Sequence, residues 1–168
     1  MSARKVMLLG EIGVGKSSLV RRLTLNQFDV DYKPTLGVNI YTYDVPESVL
    51  EQPTTLIIWD TDGNMRQSIF RHVYMREASA ALIIGDATRP GTLDVMDELG
   101  EGFRETFPGR KHGFIINKSD LLAPGEDPPI PPALNARADD ITITSAKTGY
   151  NVEEAFQRLA IAILRRDQ

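Results

Sequence analysis

Residues 10–17, with the sequence GEIGVGKS, restrict the possible folds of this chain more than any other segment does. They fit the pattern G-x-x-x-x-G-K-[ST], follow the apolar run 6–9, and precede a stretch whose apolar residues recur at helical spacing. In such a strand–loop–helix unit, backbone N–H groups and the helix N-terminus surround an anion. Lys16 would then reach the outer phosphates of a nucleotide, and the Ser17 hydroxyl would bind Mg²⁺. The alternative is a glycine-rich turn that precedes a helix by chance, and the agreement of strand, loop and helix disfavours it.

Strand-like and helix-like segments alternate along the chain, which favours an α/β fold with a mostly parallel six-stranded sheet and helices on both faces. We expect 38–45, where apolar and polar residues alternate, to be an edge strand, and the wholly apolar 80–84 to be buried. The clearest helix begins at Val152, with Asn151 as its N-cap. The proline-rich segment 124–132 favours a loop leading into a short helix at 133–138 over a polyproline II patch for a partner. The remaining predicted strands are 5–9, 54–59, 113–116 and 141–144, and the remaining predicted helices are 16–26, 66–77 and 93–107.

The composition is typical of one globular domain, which we assign to residues 1–168. A net charge of −4 gives no general attraction to nucleic acid or anionic lipid, so we expect no nucleic-acid partner. The chain has no cysteine, which excludes disulfides, thiolate metal sites and prenyl or palmitoyl anchors, and Ser2 excludes N-myristoylation. Because no apolar run is long enough to span a bilayer, we expect a cytoplasmic protein without a direct membrane anchor.

Two short motifs after predicted strands point to a particular base. Residues 117–120, NKSD, follow the strand 113–116, and the Asp120 carboxylate can accept two hydrogen bonds from the N1–H and amine edge of guanine. Adenine presents the opposite pattern, so a carboxylate there would reject it. Residues 145–147, SAK, follow the strand 141–144, and their backbone N–H groups could hold the guanine carbonyl. Either motif alone is a weak signal, whereas both at the ends of successive strands are strong together.

Further polar residues are placed to bind the metal and the terminal phosphate. Asp60 follows an apolar strand and would hold Mg²⁺ through water, and Gly63 would offer its N–H to a γ-phosphate. Thr35, in the loop before the second strand, could add its hydroxyl to the Mg²⁺ site. Phe28 could stack on the guanine, although ordinary core packing is the alternative for this ring and for Trp59.

Together these motifs resemble the small GTPases of the Ras superfamily over essentially the whole chain, and segments 32–38 and 58–61 are most similar to the Rab branch. The resemblance implies a P-loop NTPase-type α/β fold, binding of GTP and GDP with Mg²⁺, and two loops, about 28–38 and 61–77, that rearrange with nucleotide state. Effector proteins would bind those loops, and an exchange factor and a GTPase-activating protein would regulate the switch. The residues implied in nucleotide binding are Gly13, Val14, Gly15, Lys16, Ser17, Ser18, Phe28, Tyr32, Thr35, Gly63, Asn117, Lys118, Asp120, Ser145, Ala146 and Lys147. Those implied in metal binding are Ser17, Thr35 and Asp60, and those implied in catalysis are Lys16, Thr35, Asp62, Gly63 and Asn64.

Three residues near the expected γ-phosphate depart from the family pattern. Ile12 stands where the family usually carries a small residue, and its side chain would crowd an attacking water or an incoming arginine finger. Asp62 replaces Ala, and a carboxylate beside a triphosphate is repelled unless it is protonated or metal-bound. Asn64 replaces the Gln that orients the attacking water and is one methylene shorter, in a reaction where positioning dominates. We expect slow intrinsic hydrolysis and poor activation by an arginine finger; neutral drift with compensation elsewhere is the alternative.

Two functions of different classes remain open at this point. The leading one is a molecular switch, a GTPase that binds GTP and GDP and hydrolyses GTP slowly. The alternative is a GTP-binding interaction module with negligible hydrolysis, which the Ile12, Asp62 and Asn64 cluster favours. Hydrolysis followed over time separates the two. An ATPase or a small-molecule kinase is disfavoured by the motif at 117–120.

Overall fold

Six strands form one sheet in the order β2-β3-β1-β4-β5-β6 in the computed structural model, which describes residues 2–29, 38–61 and 76–168. β2 runs antiparallel to β3, and the other neighbouring strands are parallel. The strands are β1 Ser2–Leu9, β2 Val38–Asp44, β3 Thr54–Thr61, β4 Ala80–Asp86, β5 Lys111–Asn117 and β6 Ile141–Ile143. The predicted fold class, a mostly parallel α/β sheet, is therefore confirmed.

Helices cover both faces of this sheet, as the sequence pattern predicts. The helices are α1 Lys16–Leu25, α2 Pro90–Asp94, α3 Met96–Thr106, α4 Pro132–Asn135 and α5 Val152–Asp167, and short 3₁₀ turns lie at Ser119–Leu121 and Ala138–Asp140. Alternate residues of β1 point to opposite faces: Val6 and Leu8 join the core beneath α1 and α5, whereas Met7 and Leu9 join the core beneath α2, α3 and α4. Every residue of β4 is buried, as expected for a central parallel strand with helices on both sides.

The carboxyl ends of β1, β3, β4 and β5 meet at one edge of the sheet, which we call the carboxyl edge. The loop 10–15, Asp60, Asp86 and Asn117 all stand at or just beyond this edge. In open parallel sheets ligands bind outside the carboxyl ends of the strands. The topology therefore brings together motifs that lie far apart in the sequence.

Several predicted boundaries differ from the structure. The helix predicted at 93–107 is instead two helices, α2 and α3, which are separated at Val95, a residue with φ −88° and ψ −9°. α2 starts at Pro90, since proline fits the first helical position and needs no N–H partner there. β1 starts at Ser2 because its pairing with β3 continues to Thr54, beyond the apolar run visible in the sequence.

Asn151 occupies the N-cap position of α5, as predicted, although its side chain makes no capping hydrogen bond. Its backbone is left-handed, with φ 57°, and its side-chain amide donates to the Ile143 carbonyl oxygen at 3.1 Å. The short helix expected after the prolines is present as α4. The helix predicted at 66–77 falls outside the described residues except for a turn at 76–77. Within the described ranges, no helix is long and apolar enough to cross a membrane.

Candidate nucleotide-binding site

The loop 10–15 forms a cradle of backbone between β1 and α1. Gly13 and Gly15 adopt positive φ values of 78° and 101°, a region that side chains disfavour. A Cβ on Gly15 would also collide with the side-chain amide nitrogen of Asn117. Lys16 is 6% exposed and donates from Nζ to the carbonyl oxygens of Gly10 at 2.9 Å and Glu11 at 3.1 Å. The ammonium group therefore lies across the loop, where an outer phosphate would meet it.

Asn117 ties this loop to the turn at 145–147. Its amide nitrogen donates to the Val14 carbonyl oxygen at 3.1 Å, and its amide oxygen accepts from Thr144 Oγ1 at 3.0 Å and the Ala146 N–H at 3.2 Å. The residue is 1% exposed, so each of these bonds is sheltered from water. Asn117 thus holds the loop 10–15 and the turn at 145–147 at a fixed distance from each other.

The neighbouring residues of the same motif have separate contacts. Lys118 Nζ donates to the Gly13 carbonyl oxygen at 2.7 Å and pairs with Asp86 at 3.0 Å. Asp120 is exposed, and its Oδ1 accepts from Ser145 Oγ at 2.8 Å. A carboxylate has several acceptor sites, so Asp120 keeps capacity for the N–H edge of a base. The structure therefore brings the 117–120 and 145–147 motifs into direct contact.

Asp60 and Ser17 form a buried pair beside the cradle. Ser17 Oγ donates to Asp60 Oδ2 at 2.5 Å, while Asp60 Oδ1 is buried with no hydrogen-bond partner among the described residues. Burial raises the pKa of Asp60, and it outweighs the hydrogen bond from Ser17 and the positive charges of Lys16 and Arg21, which lower that pKa. A buried carboxylate oxygen without a partner, next to a hydroxyl, is a donor set that suits a hard cation such as Mg²⁺.

Asp86 and Arg89 contact the cradle and were not predicted from the sequence. Asp86 is 2% exposed and accepts from the N–H of Thr88 at 2.8 Å, Thr88 Oγ1 at 2.7 Å and Arg89 Nε at 3.1 Å, in addition to its ion pair with Lys118. Burial alone would raise the pKa of Asp86, but the hydrogen bonds from Thr88, Lys118 and Arg89 outweigh it and lower the pKa. Arg89 Nη2 also donates to the Ile12 carbonyl oxygen at 2.8 Å.

Both cations that neutralise Asp86, Lys118 and Arg89, therefore also hold carbonyl groups of the loop 10–15. The signal that could have found Asp86 is its place, directly after the apolar strand β4 at the carboxyl edge. A carboxylate at the end of a buried strand is costly unless it is paired. The identity of its partners, however, is not visible in the sequence.

Other predicted residues are placed differently. Phe28 is partly buried and packs against the core beneath α1 and α5, and Trp59 packs against the opposite core with Lys5 Nζ 3.8 Å from its ring centroid. The Ile12 side chain is 53% exposed on the loop. Outside the described residues lie Tyr32, Thr35, Asp62, Gly63 and Asn64, together with most of the loops 28–38 and 61–77.

The chain is similar in sequence to Ras-related proteins along most of its length. The model of the Ras family matches residues 5–165. The chain is 35% identical to the Ras-related protein RABA1b of Arabidopsis thaliana over 168 aligned residues, covering 96% of this chain and 75% of that protein. It is 33% identical to the GTP-binding protein ypt3 of Schizosaccharomyces pombe, covering 96% and 76%. It is also 33% identical to the Ras-related protein Rab-31 of Rattus norvegicus, covering 93% and 80%.

Proposed function

The chain belongs to the Ras family and is a Rab-like, guanine-nucleotide-binding GTPase, and on that premise we propose that it is a Mg²⁺-dependent switch with slow intrinsic hydrolysis. The observation that carries the proposal is the convergence at the carboxyl edge of the loop cradle, the Asp60–Ser17 pair and the two base-recognition motifs. Each part suits one part of a nucleoside triphosphate with its cation.

We assign the phosphates to the cradle. The N–H groups of 13–18 would surround them, and Lys16 would move from the loop carbonyls onto the outer phosphates, to which a charged donor bonds more strongly. Asp120 would accept from the N–H edge of guanine. Lys147 would offer its N–H to the guanine carbonyl, and Ala146 would share with that carbonyl the N–H that it donates to Asn117 Oδ1. The base and the ribose would be in contact with Phe28, Tyr32 and Lys118. This assignment is supported by the contact between Asp120 and Ser145.

We assign the cation to Asp60 and Ser17, with Thr35 completing the set when a γ-phosphate is present. The support is that Asp60 Oδ1 is buried and has no hydrogen-bond partner in the part of the chain that the structure describes. When bound, Mg²⁺ supplies positive charge that neutralises the phosphate oxygens. Asp60 and Ser17 would orient that ion, and burial of Asp60 would keep competing water away from its carboxylate.

Slow hydrolysis is proposed from three residues around the expected γ-phosphate. Ile12 presents an exposed, branched side chain on the loop, where it would restrict the approach of water or of an arginine finger. Asp62 and Asn64 would respectively repel the phosphate and orient the water poorly, and Gly63 would donate its N–H to the γ-phosphate. A binding module with negligible hydrolysis is the second candidate, favoured by the same three residues.

Partner proteins would bind the loops 28–38 and 61–77 and the adjoining strands. Ile40 on β2 is 54% exposed and lies opposite Trp59 in the β2–β3 register, so it adds apolar surface between the two loops. We propose protein effectors there, with an exchange factor and a GTPase-activating protein as regulators. The cytoplasmic location expected from the sequence is part of the same proposal, and no nucleic-acid contact is included.

Single-turnover hydrolysis tests the switch against the binding module. Purified protein is loaded with GTP and Mg²⁺, and bound GTP and GDP are quantified over time. Conversion within about an hour supports the switch, whereas GTP that persists for many hours supports the module. The double variant Ile12→Gly, Asn64→Gln should hydrolyse faster, since a glycine clears the loop and a longer amide reaches the water. An unchanged rate would contradict the role given to these residues.

A second experiment tests the base assignment. Asp120→Asn replaces a carboxylate, which only accepts hydrogen bonds, by an amide that also donates them. The binding preference of the protein should therefore move from GDP towards xanthosine diphosphate, whose base carries an acceptor oxygen at position 2 in place of the amine. Asp127→Asn is a matched control, because Asp127 is an exposed carboxylate in the following loop. Equal GDP preference in Asp120→Asn and the wild type would contradict the guanine site.

A further inference from the structure

Arg22, on α1, is bonded through all three nitrogens of its guanidinium group. Nε donates to the Ala146 carbonyl oxygen at 2.8 Å, and Nη2 donates to the Lys147 carbonyl oxygen at 2.5 Å. Nη1 donates to Asn26 Oδ1 at 3.0 Å. None of the motifs in the sequence includes Arg22, and its partners at 146 and 147 lie more than a hundred residues away, with a separation of 124 for Ala146.

Holding these two carbonyl groups fixes the N–H groups on the other side of the turn. A trans peptide is planar, so its C=O and N–H point in opposite directions. The Ala146 carbonyl held by Arg22 thus aims the N–H of Lys147 away from α1. The Lys147 carbonyl does the same for the N–H of Thr148, which donates to Ser145 Oγ at 3.1 Å. Asn117 holds the turn at the N–H of Ala146, and Arg22 holds it at the carbonyl side.

The third bond of Arg22 links this turn to the segment that leads to Phe28. Asn26 is the C-cap of α1, with a left-handed φ of 51°, and its N–H donates to the Arg22 carbonyl oxygen at 3.1 Å. Phe28 follows two residues later. One guanidinium group therefore connects the 145–147 turn with the end of α1, where the segment leading to Phe28 begins.

We propose that Arg22 is a positioning residue for the base: by holding the Ala146 carbonyl it orients the N–H of Lys147 towards the guanine carbonyl oxygen O6 and so contributes to guanine selectivity. The inference rests on the proposed guanine site. The planar guanidinium group is needed because its several N–H donors point in fixed directions. A lysine ammonium is a single point charge and cannot bond to both carbonyl groups and to Asn26 at once.

The test compares GDP with the 5′-diphosphate of 2-aminopurine riboside. The analogue lacks both O6 and the N1–H donor of guanine and keeps the ring atoms, the 2-amine, the ribose and the phosphates. Because the missing N1–H concerns Asp120 and is the same for every Arg22 variant, the quantity compared is the change in affinity for each ligand from wild type to variant. Their affinities are measured by competition with GDP that carries a fluorescent ribose label, in saturating Mg²⁺. The variants are Arg22→Met, which keeps the apolar stem but removes all three donors, and Arg22→Lys. Arg104→Met is the control, since Arg104 is an exposed arginine on α3 whose side chain pairs with Glu101.

We expect Arg22→Met to weaken GDP binding by about tenfold or more, the effect of losing one well-placed hydrogen bond to the base. Binding of the analogue should change by less than about threefold, because it has no O6 for the turn to contact. Arg22→Lys should recover part of the GDP affinity, and Arg104→Met should behave as the wild type for both ligands.

Equal weakening of both ligands in Arg22→Met would overturn the inference, since it would mean a general loss of structure. Unchanged binding of both would overturn it as well. If the wild type itself failed to prefer GDP over the analogue, the proposed guanine site would be contradicted, and the inference with it. Arg22→Lys keeps the positive charge and most of the stem, so it supplies the same comparison if Arg22→Met does not fold.

Discussion

Replacing Asp86 by Asn removes one buried negative charge with almost no change of shape, and we expect it to destabilise the protein measurably. The two oxygens of Asp86 accept from Thr88, Arg89 and Lys118, at distances of 2.7 to 3.1 Å. In the variant the amide oxygen can retain the bonds from Thr88. The amide nitrogen then faces the cations on the Oδ2 side, where it cannot accept from them.

The magnitude follows from the two cationic partners. A hydrogen bond to a charged group contributes about 1.5–3 kcal/mol, against about 0.5–1.5 kcal/mol for a neutral one. Loss of the charge at Lys118 and Arg89 would thus cost up to about 3 kcal/mol. Arg89 has 46% of its side chain exposed, so water screens its share, and we expect about 2 kcal/mol in total.

Urea unfolding followed by the fluorescence of Trp59, the single tryptophan, measures this loss. With an m value of about 2 kcal/mol/M, the midpoint should fall by about 1 M at unchanged m. GDP and Mg²⁺ are kept saturating, because ligand binding adds to apparent stability. Asp97→Asn is the control: Asp97 pairs with Arg137, which also pairs with Glu101, and the change should stay below about 1 kcal/mol.

The pH dependence gives a second readout. The folded-state pKa of Asp86 lies below its unfolded value of about 3.9. Its contribution is therefore fully present above about pH 4 and is lost as the pH falls through the folded-state pKa. The difference between wild type and Asp86→Asn should be the same at pH 7 and pH 5 and shrink only in stronger acid. A difference under about 0.5 kcal/mol at pH 7 would refute the reasoning, given the hydrogen-bond magnitudes used.

Three further substitutions test other parts of the structure. Gly15→Ala should abolish measurable GDP binding, because of its φ of 101° and the collision of the new Cβ, whereas Gly91→Ala, in open space on a helix, should bind GDP normally. Asp60→Asn should stabilise the protein in EDTA at pH 7. Burial raises the pKa of Asp60 in the folded state, so the wild type loses stability as the pH rises from the pKa of the unfolded state towards the pKa of the folded state. An uncharged Asn avoids this loss. The same variant should lose its Mg²⁺ dependence of nucleotide binding, and a wild-type response would contradict the cation site. Phe156→Ala should cost about 3–5 kcal/mol in urea unfolding, since Phe156 is fully buried, whereas Tyr150→Ala, at an exposed position, should change stability little.

Local patterns in the sequence predicted the elements that form the site. The alternation of strands and helices, the glycines of the loop 10–15 and the wholly apolar β4 depend on spacing and residue type within short windows. These short sequence patterns were sufficient to predict a parallel sheet with polar motifs at its carboxyl edge. They did not predict where each element begins and ends. At the start of β1, for example, pairing with β3 extends the strand beyond its apolar residues.

The sequence by itself predicted the candidate residues for a phosphate cradle, a cation site and a guanine site, because such predictions depend on residue types in short motifs. Only the tertiary structure decided which side chains hold those motifs in place. Arg89 reaches the Ile12 carbonyl across 77 positions of the chain, and Arg22 reaches Ala146 across 124. Such contacts depend on strand order, strand register and the faces on which helices pack. These are set by burial of the whole core, and no local pattern records which distant partner a given side chain will meet.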